Sequence, residues 1–283
     1  MESQTIQYET VIVPKTKLIG INIKEIWNYR DLIMLFVKRD FVSLYKQTIL
    51  GPAWAVIQPL LTTVVFTFIF GNIAGLAADG VPSFVFYLSG TIVWTYFSTC
   101  LTSTANTFIG NSAILGKVYF PRLVMPISTV ISKLISFGIQ FVFLLIFIIY
   151  YYLHGDHVSP NYFVLFFPLL IFQLAALSLG FGVIISSLTT KYRDLAMLIT
   201  FGIQLWMYAT PIAYDMRIIP ESLQKVIMLN PVTPIVLMFR YAFLGLGDAP
   251  WRYYAISWGI TVVVLFFGII LFNKVEKTFM DTV

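Results

Sequence analysis

The stretch Tyr45–Leu61, YKQTILGPAWAVIQPLL, decides how this chain is read. Before it, charged and apolar residues alternate; after it, charge almost disappears for long runs. Gly51 and Pro52 mark a helix start, because a proline at the first helical position gives up no intrahelical hydrogen bond. The junction is where the polypeptide leaves an aqueous surface and enters hydrocarbon.

Composition points the same way. Of the 283 residues, 59% are hydrophobic and 11% charged, against about 25% charged in soluble domains. Runs of about 20 residues without Asp, Glu, Lys or Arg recur, the length that crosses a bilayer core. An ordinary soluble fold is excluded, and an all-α polytopic membrane protein is expected. The net charge of +5 is modest and sits mainly in flanks and loops. Anionic lipid headgroups and lipid-linked substrates are therefore the expected partners, and nucleic acid is not. Cys100 is the single cysteine, which rules out an intramolecular disulfide and a cysteine-based zinc site. Residues 1–20 are polar and of mixed charge, unlike a signal peptide.

Working outward from the junction, residues 1–28 read as a cytoplasmic tail and 29–46 as an amphipathic interfacial helix. Ile33, Phe36, Val37, Phe41 and Leu44 recur at helical spacing, and Arg30, Asp31, Lys38, Arg39 and Lys46 take most of the remaining surface. Residues 47–273 form the transmembrane domain and 274–283 a cytoplasmic tail. Six spans are expected, at about 52–73, 83–108, 126–153, 162–188, 195–214 and 253–272. Between the last two, residues 220–229 and 234–246 read as short helices that dip back from the outer side. The segments 109–125 and 189–194 and both ends carry Lys or Arg, whereas 74–82 and 154–161 carry none. The positive-inside rule then puts both termini in the cytoplasm, as an even number of spans requires. Arg217, Lys225 and Arg240, on the expected outer side, conflict with this, but long segments obey the rule poorly.

Catalytic chemistry is scarce. His154 and His157 flank Asp156 in a loop, but they are the only two histidines, and a solvated loop is the better reading. The run GNSAILGKVY at 110–119 falls short of a nucleotide-binding loop: its glycines are one residue too far apart, and Val118 follows Lys117 where Ser or Thr is needed. The chain is thus expected to bind no ATP itself. None of the expected spans holds a carboxylate, and Lys133 is the clearest charge within one, which disfavours an ion-coupled carrier. Energy for uphill transport would come from another polypeptide. Trp94, Tyr96, Trp206 and Tyr208 pair aromatic rings with polar edges and are the candidates to line a path for sugars, whose rings suit aromatic faces.

A basic amphipathic segment running into this junction resembles the N-terminal signature of type-2 ABC transporter (ABC-2) permeases, and more narrowly the branch exporting polysaccharides and polyol phosphates. The matching positions are Arg39-Asp40, Tyr45, Leu50-Gly51, Trp54, Gln58-Pro59, Lys117 to Pro121, Tyr192-Arg193-Asp194, Pro211-Ile212 and Asn230-Pro231. The resemblance implies a homodimer of this chain with two copies of an ABC ATPase subunit, which would bind the ATP and magnesium; this chain would hold no cofactor or metal and would not itself be an enzyme. It implies a cytoplasmic coupling helix at 111–120, with Asn111, Ser112, Leu115, Lys117, Tyr119 and Phe120 meeting the ATPase. It implies a bacterial cytoplasmic (inner) membrane location, and a polyprenyl-pyrophosphate-linked polysaccharide as cargo, O-antigen foremost. Arg30, Lys38, Arg39 and Lys46 would draw in its phosphates, Arg39 first, since arginine binds phosphate bidentately. Teichoic acid, capsule or a drug remain alternative cargoes. A membrane-embedded glycosyltransferase would need a catalytic cluster that the sequence does not display.

Overall fold

The computed structural model of the chain describes residues 23–46, 48–78, 80–111, 114, 118, 120–155, 157–189 and 194–279. Among these there are helices and turns and no strand. We number the helices α1 (Ile23–Asn28), α2 (Arg30–Tyr45), α3 (Trp54–Phe66), α4 (Ser83–Ala105), α5 (Thr107–Gly110), α6 (Val124–Leu153), α7 (Phe167–Thr189), α8 (Leu195–Tyr208), α9 (Glu221–Leu229), α10 (Val232–Leu244) and α11 (Trp251–Phe279). Gly51–Ala53 leads into α3, and the wider turn Thr67–Ile73 extends it.

Five stretches are long and apolar enough to cross a membrane: Gly51–Ile73, Ser83–Ala105, Val124–Leu153, Tyr162–Thr189 and Trp251–Lys274. They agree with five of the six expected spans. The remaining one, expected over 195–214, is helical only over the 14 residues Leu195–Tyr208, or about 21 Å at 1.5 Å per residue, short of a core about 30 Å thick. The helix stops because Pro211 has no N–H with which to continue the ladder. At the ends, Ile23–Asn28 is helical within the expected N-terminal tail, and α11 runs on through Lys274 into the expected C-terminal one.

The centre of the bundle is α4. Almost its whole N-terminal half is buried, from Val85 to Trp94, between α3, α6 and α7. On its far side α7 packs along α11, where glycine permits a close crossing. A Cβ on Gly268 would stand 2.8 Å from the Gly180 carbonyl oxygen, and one on Gly180 would stand 3.0 Å from the Leu265 nitrogen. A buried polar chain fastens the same helices, since Gln173 Nε2 donates to Ser257 Oγ (2.9 Å), which donates to the Pro231 carbonyl (2.6 Å).

α9 and α10 meet at 102°. Asn230 is extended (φ −63°, ψ 118°), as a residue before proline prefers, and its Oδ1 accepts from the Val232 N–H at 3.2 Å to start the next helix. α10 is then almost entirely buried.

α2 lies against α6. Ile33, Phe36 and Val37 bury into a second core with Phe108, Phe120, Met125, Val183 and Phe272. The apolar stripe read as a lipid-facing surface is thus partly spent on protein. Of that stripe Leu44 is exposed, and so are Met34, Leu35 and Val42, while Tyr45 is buried in its place.

Candidate functional site

α4 presents Thr91, Trp94, Thr95, Ser98, Thr99, Thr102 and Ser103 along one side. These are the offsets of a single helical face. They form the floor of a groove of about 700 Å³. Gln58, Thr62 and Phe66 of the α3 segment wall one side, and Thr200, Ile203, Gln204 and Tyr208 of α8 the other, with Lys133 of α6 also in the lining. Some hydroxyls are satisfied by their own helix: Thr91 Oγ1 donates to the Tyr87 carbonyl at 2.7 Å and Thr99 Oγ1 to the Thr95 carbonyl at 2.6 Å. The hydroxyl oxygens still offer lone pairs to the groove. Lipid tails have no use for such a surface, which offers hydrogen bonds to something polar.

The outer surfaces of the walls are different. Leu61, Val64, Val65 and Phe68 on one side and Met197, Leu198, Phe201 and Leu205 on the other are exposed and apolar. The groove is a trough rather than a closed pore.

One end of the trough is closed by the turn after α8, where Ile212 lines the groove. Arg240 of α10 holds that turn. Its guanidinium is fully buried (1% exposed), donating from Nη1 to the Pro211 carbonyl (2.6 Å), from Nη2 to the Ile212 (3.0 Å) and Phe86 (3.2 Å) carbonyls, and from Nε to Ser89 Oγ (3.4 Å). Its Cζ lies 3.7 Å from the centre of the Phe86 ring. Gly90 makes room for it. Asn230 ties the same turn to the α9–α10 bend, accepting from Trp206 Nε1 (2.9 Å) and donating to Thr210 Oγ1 (2.9 Å).

The four aromatic candidates divide. Trp94 and Tyr208 line the groove, and Tyr96 lines a smaller neighbouring cavity. Trp206 lines neither; it is wedged edge-on against Phe97 and Phe181, both 5.2 Å away, and bonded to Asn230. The basic residues of α2 do not converge on one spot. Arg30 and Lys46 are 16 positions apart, about 24 Å along a helix. Arg30, Lys38 and Lys46 are exposed, with Arg30 3.9 Å from Asp31. Arg39 is held by the protein: Nε and Nη2 reach Asp40 Oδ1 at 2.9 and 2.7 Å, Nη2 also donates to Asn111 Oδ1 at 3.2 Å, and Cζ sits 4.7 Å from the Phe36 ring centre.

Of the coupling residues, Ser112, Leu115, Lys117 and Tyr119 lie outside the described residues, as do Tyr192 and Arg193. Asn111 and Phe120 are both clasped by α2, the first through Arg39 and the second through Phe36, ring centres 5.8 Å apart. Among the described residues no three His, Cys, Asp or Glu side chains come together to hold a metal. Two parts of this site escaped the sequence reading. The α4 hydroxyl face was legible in its spacing, but its Ser and Thr residues were read only as part of the expected span 83–108. Arg240 was read as an outer-side charge within the short helix 234–246, and no local pattern announces its burial.

A trough of hydroxyls in an apolar helical bundle, braced at one end by a buried cation, is transporter architecture, and comparison with known proteins gives it a family. Residues 31–244 match the model of the ABC-2 type transporter family. The chain belongs to that family. It is similar to the O-antigen export system permease protein RfbA of Klebsiella pneumoniae, 29% identical over 89% of this chain and 94% of the relative. Its likeness to the RfbA of Myxococcus xanthus is 26% over 92% of this chain and 98% of that protein. The polysialic acid transport protein KpsM of Escherichia coli is 23% identical over 86% of this chain and 93% of its own length. As an ABC-2 permease the chain is an integral, multi-pass transport subunit rather than an enzyme.

Proposed function

We propose that this chain is the membrane half of an ATP-driven exporter that moves a polyprenyl-pyrophosphate-linked polysaccharide, O-antigen foremost, across the bacterial cytoplasmic membrane. The observation that carries the reading is the hydroxyl and amide lining of the groove, with Trp94 and Tyr208 set into it. Sugar hydroxyls exchange hydrogen bonds with such a lining, while aromatic faces pack on sugar rings without fixing register, as a sliding polymer requires. The relatives named for O-antigen export support the choice of cargo over teichoic acid, capsule or a drug.

The open trough and its apolar flanks favour a second copy of the chain completing the conduit. Two copies of an ABC ATPase subunit, binding ATP and magnesium, would dock at 111–120. The clasp of Arg39 and Phe36 on Asn111 and Phe120 would carry their motion to α2. In this reading α8 with the turn after it makes the sixth crossing despite its short helix, both termini are cytoplasmic, α2 is the interfacial helix and the bent pair α9–α10 is re-entrant from the outer side. The three outer cations that oppose it weigh little: Arg217 pairs with Asp215 at 2.7 Å, Arg240 is buried, and only Lys225 is left of the three.

The test is the ATPase activity of the chain co-purified with its ATPase in lipid nanodiscs. Stimulation by a polyprenyl-pyrophosphate-linked glycan, reduced by Thr95→Val with Thr99→Val, is expected. Stimulation by hydrophobic drugs alone would reassign the cargo, and absence of any co-purifying ATPase would end the reading.

A further inference from the structure

The groove and its smaller neighbour meet at one ammonium group. The second cavity, of about 320 Å³, lies where the end of α2 and the start of α3 pack onto α4 and α6. Gln58, Pro59, Thr95, Thr99 and Lys133 belong to both linings. Among the described residues Lys133 is the one charged side chain in either lining, and no carboxylate is present in them. Among the described residues, Lys133 takes part in no ion pair or hydrogen bond.

A lysine on a spanning helix commonly snorkels, stretching its stem along lipid to reach the headgroups. Lys133 is placed otherwise. It sits nine residues into α6, about 14 Å along its axis, and lines both the groove and the smaller cavity. The walls around it are fixed by side chains further along the same helix. Tyr45 Oη and Ser136 Oγ share a hydrogen bond of 2.9 Å, and Gln140 Nε2 donates to the Ala55 carbonyl at 2.8 Å. These bonds pin the α2–α3 junction to α6 on either side of the cavity. Leu44 and Trp54, at 49% and 48% exposure, stand at its rim, where the chain enters the bilayer.

We propose that Lys133 is an anion-recognition residue: a phosphate or pyrophosphate group of a lipid-linked molecule enters the smaller cavity beside the α2–α3 junction and is held at Lys133, on the threshold of the groove. A partly buried ammonium without a counter-ion is costly until an anion meets it. Among the described residues no carboxylate in either lining competes for the ammonium, which disfavours cationic cargo. The hydroxyls of Thr95 and Thr99 and the amide of Gln58 can add donors to phosphate oxygens. Lysine suits the task as a point charge with three donors, free to follow a phosphate that turns. The α2 cations, spread over about 24 Å, concentrate anionic lipid near the rim, while Lys133 makes the selective contact. The identity of the carrier lipid rests on the export reading above.

The experiment is equilibrium binding of radiolabelled polyprenyl pyrophosphate to the full chain in zwitterionic nanodiscs, with unlabelled polyprenol, phosphatidylglycerol and inorganic pyrophosphate as competitors. Lys133→Gln should weaken binding about 10- to 100-fold, the worth of one charge-assisted hydrogen-bonded contact. Lys133→Arg should stay within a few-fold of the native chain, and both variants should elute from size exclusion as it does. Equal affinity of native and Lys133→Gln chains would overturn the inference while leaving the export reading intact. A native chain that binds no polyprenyl pyrophosphate would overturn both. Equal competition by phosphatidylglycerol would make this a general headgroup site, and equal competition by inorganic pyrophosphate a soluble-anion site; either refutes the lipid-linked assignment.

Discussion

Replacing Gly90 with alanine adds one methyl group at the most tightly braced point of the bundle. An ideal Cβ there would lie 2.6 Å from Arg240 Nη2 and 3.2 Å from Ile212 Cγ2. Non-bonded heavy atoms settle at about 3.5 Å or more, so the guanidinium would have to retreat by roughly 0.9 Å. An arginine tip usually gives way easily, but this one is held by four hydrogen bonds and stacked on Phe86. A retreat of that size breaks the two bonds from Nη2, now 3.0 and 3.2 Å. At about 1.5–3 kcal/mol per charge-assisted bond this is a loss of about 3–6 kcal/mol. Alanine recovers about 1 kcal/mol of helix propensity, leaving a net destabilisation of about 2–5 kcal/mol. The assay is a thermal-unfolding double-mutant cycle of Gly90→Ala and Arg240→Met on detergent-solubilised protein, with Gly259→Ala, whose Cβ meets nothing within 4 Å, as the control. Gly90→Ala should be severe in the native chain and close to neutral once Arg240 is methionine, with a coupling energy of at least about 2 kcal/mol. Equal cost in both backgrounds would refute the claim that the guanidinium is the obstacle.

Three further expectations concern other joints. Gly268→Val drives a side chain into the Gly180 carbonyl 2.8 Å from its Cβ; about 1–3 kcal/mol of overpacking should separate α7 from α11 and lower the yield of monodisperse protein. Trp206→Phe keeps a ring between Phe97 and Phe181 but removes the donor to Asn230, and should cost about 1 kcal/mol in the same unfolding assay. Arg39→Ala releases Asn111 and should lower cargo-stimulated ATPase activity while leaving basal ATPase unchanged; Lys38→Ala, an exposed neighbour, should leave both unchanged, and equal effects of the two would show that charge rather than the clasp matters.

Much of this architecture is readable from residue order because a bilayer imposes a length. About 20 apolar residues are needed to cross it, so five spans and the junction at Tyr45–Leu61 stand out in the sequence. Proline and glycine mark breaks just as locally, as Pro211 and Asn230-Pro231 do. The fifth expected span differs in length on the same ground: apolar composition runs past Tyr208, but the helix does not.

The site was legible in its parts and not in its assembly. Trp94 and Tyr208 were picked for their chemistry and do line the groove, whereas Trp206, chosen by the same reasoning, went to a structural hydrogen bond. Arg39 was singled out as a phosphate ligand, and only the structure shows that it also bonds to Asp40 and Asn111. Arg240 bonds to residues 151 and 154 positions away, and Lys133 gains meaning only because α2, α3 and α4 close around it. Hydropathy and periodicity act over one helical turn or one span, so they report how each segment meets its solvent. Which polar atoms face each other is set by helix packing between segments far apart in the chain, and that information appears only once the bundle has closed.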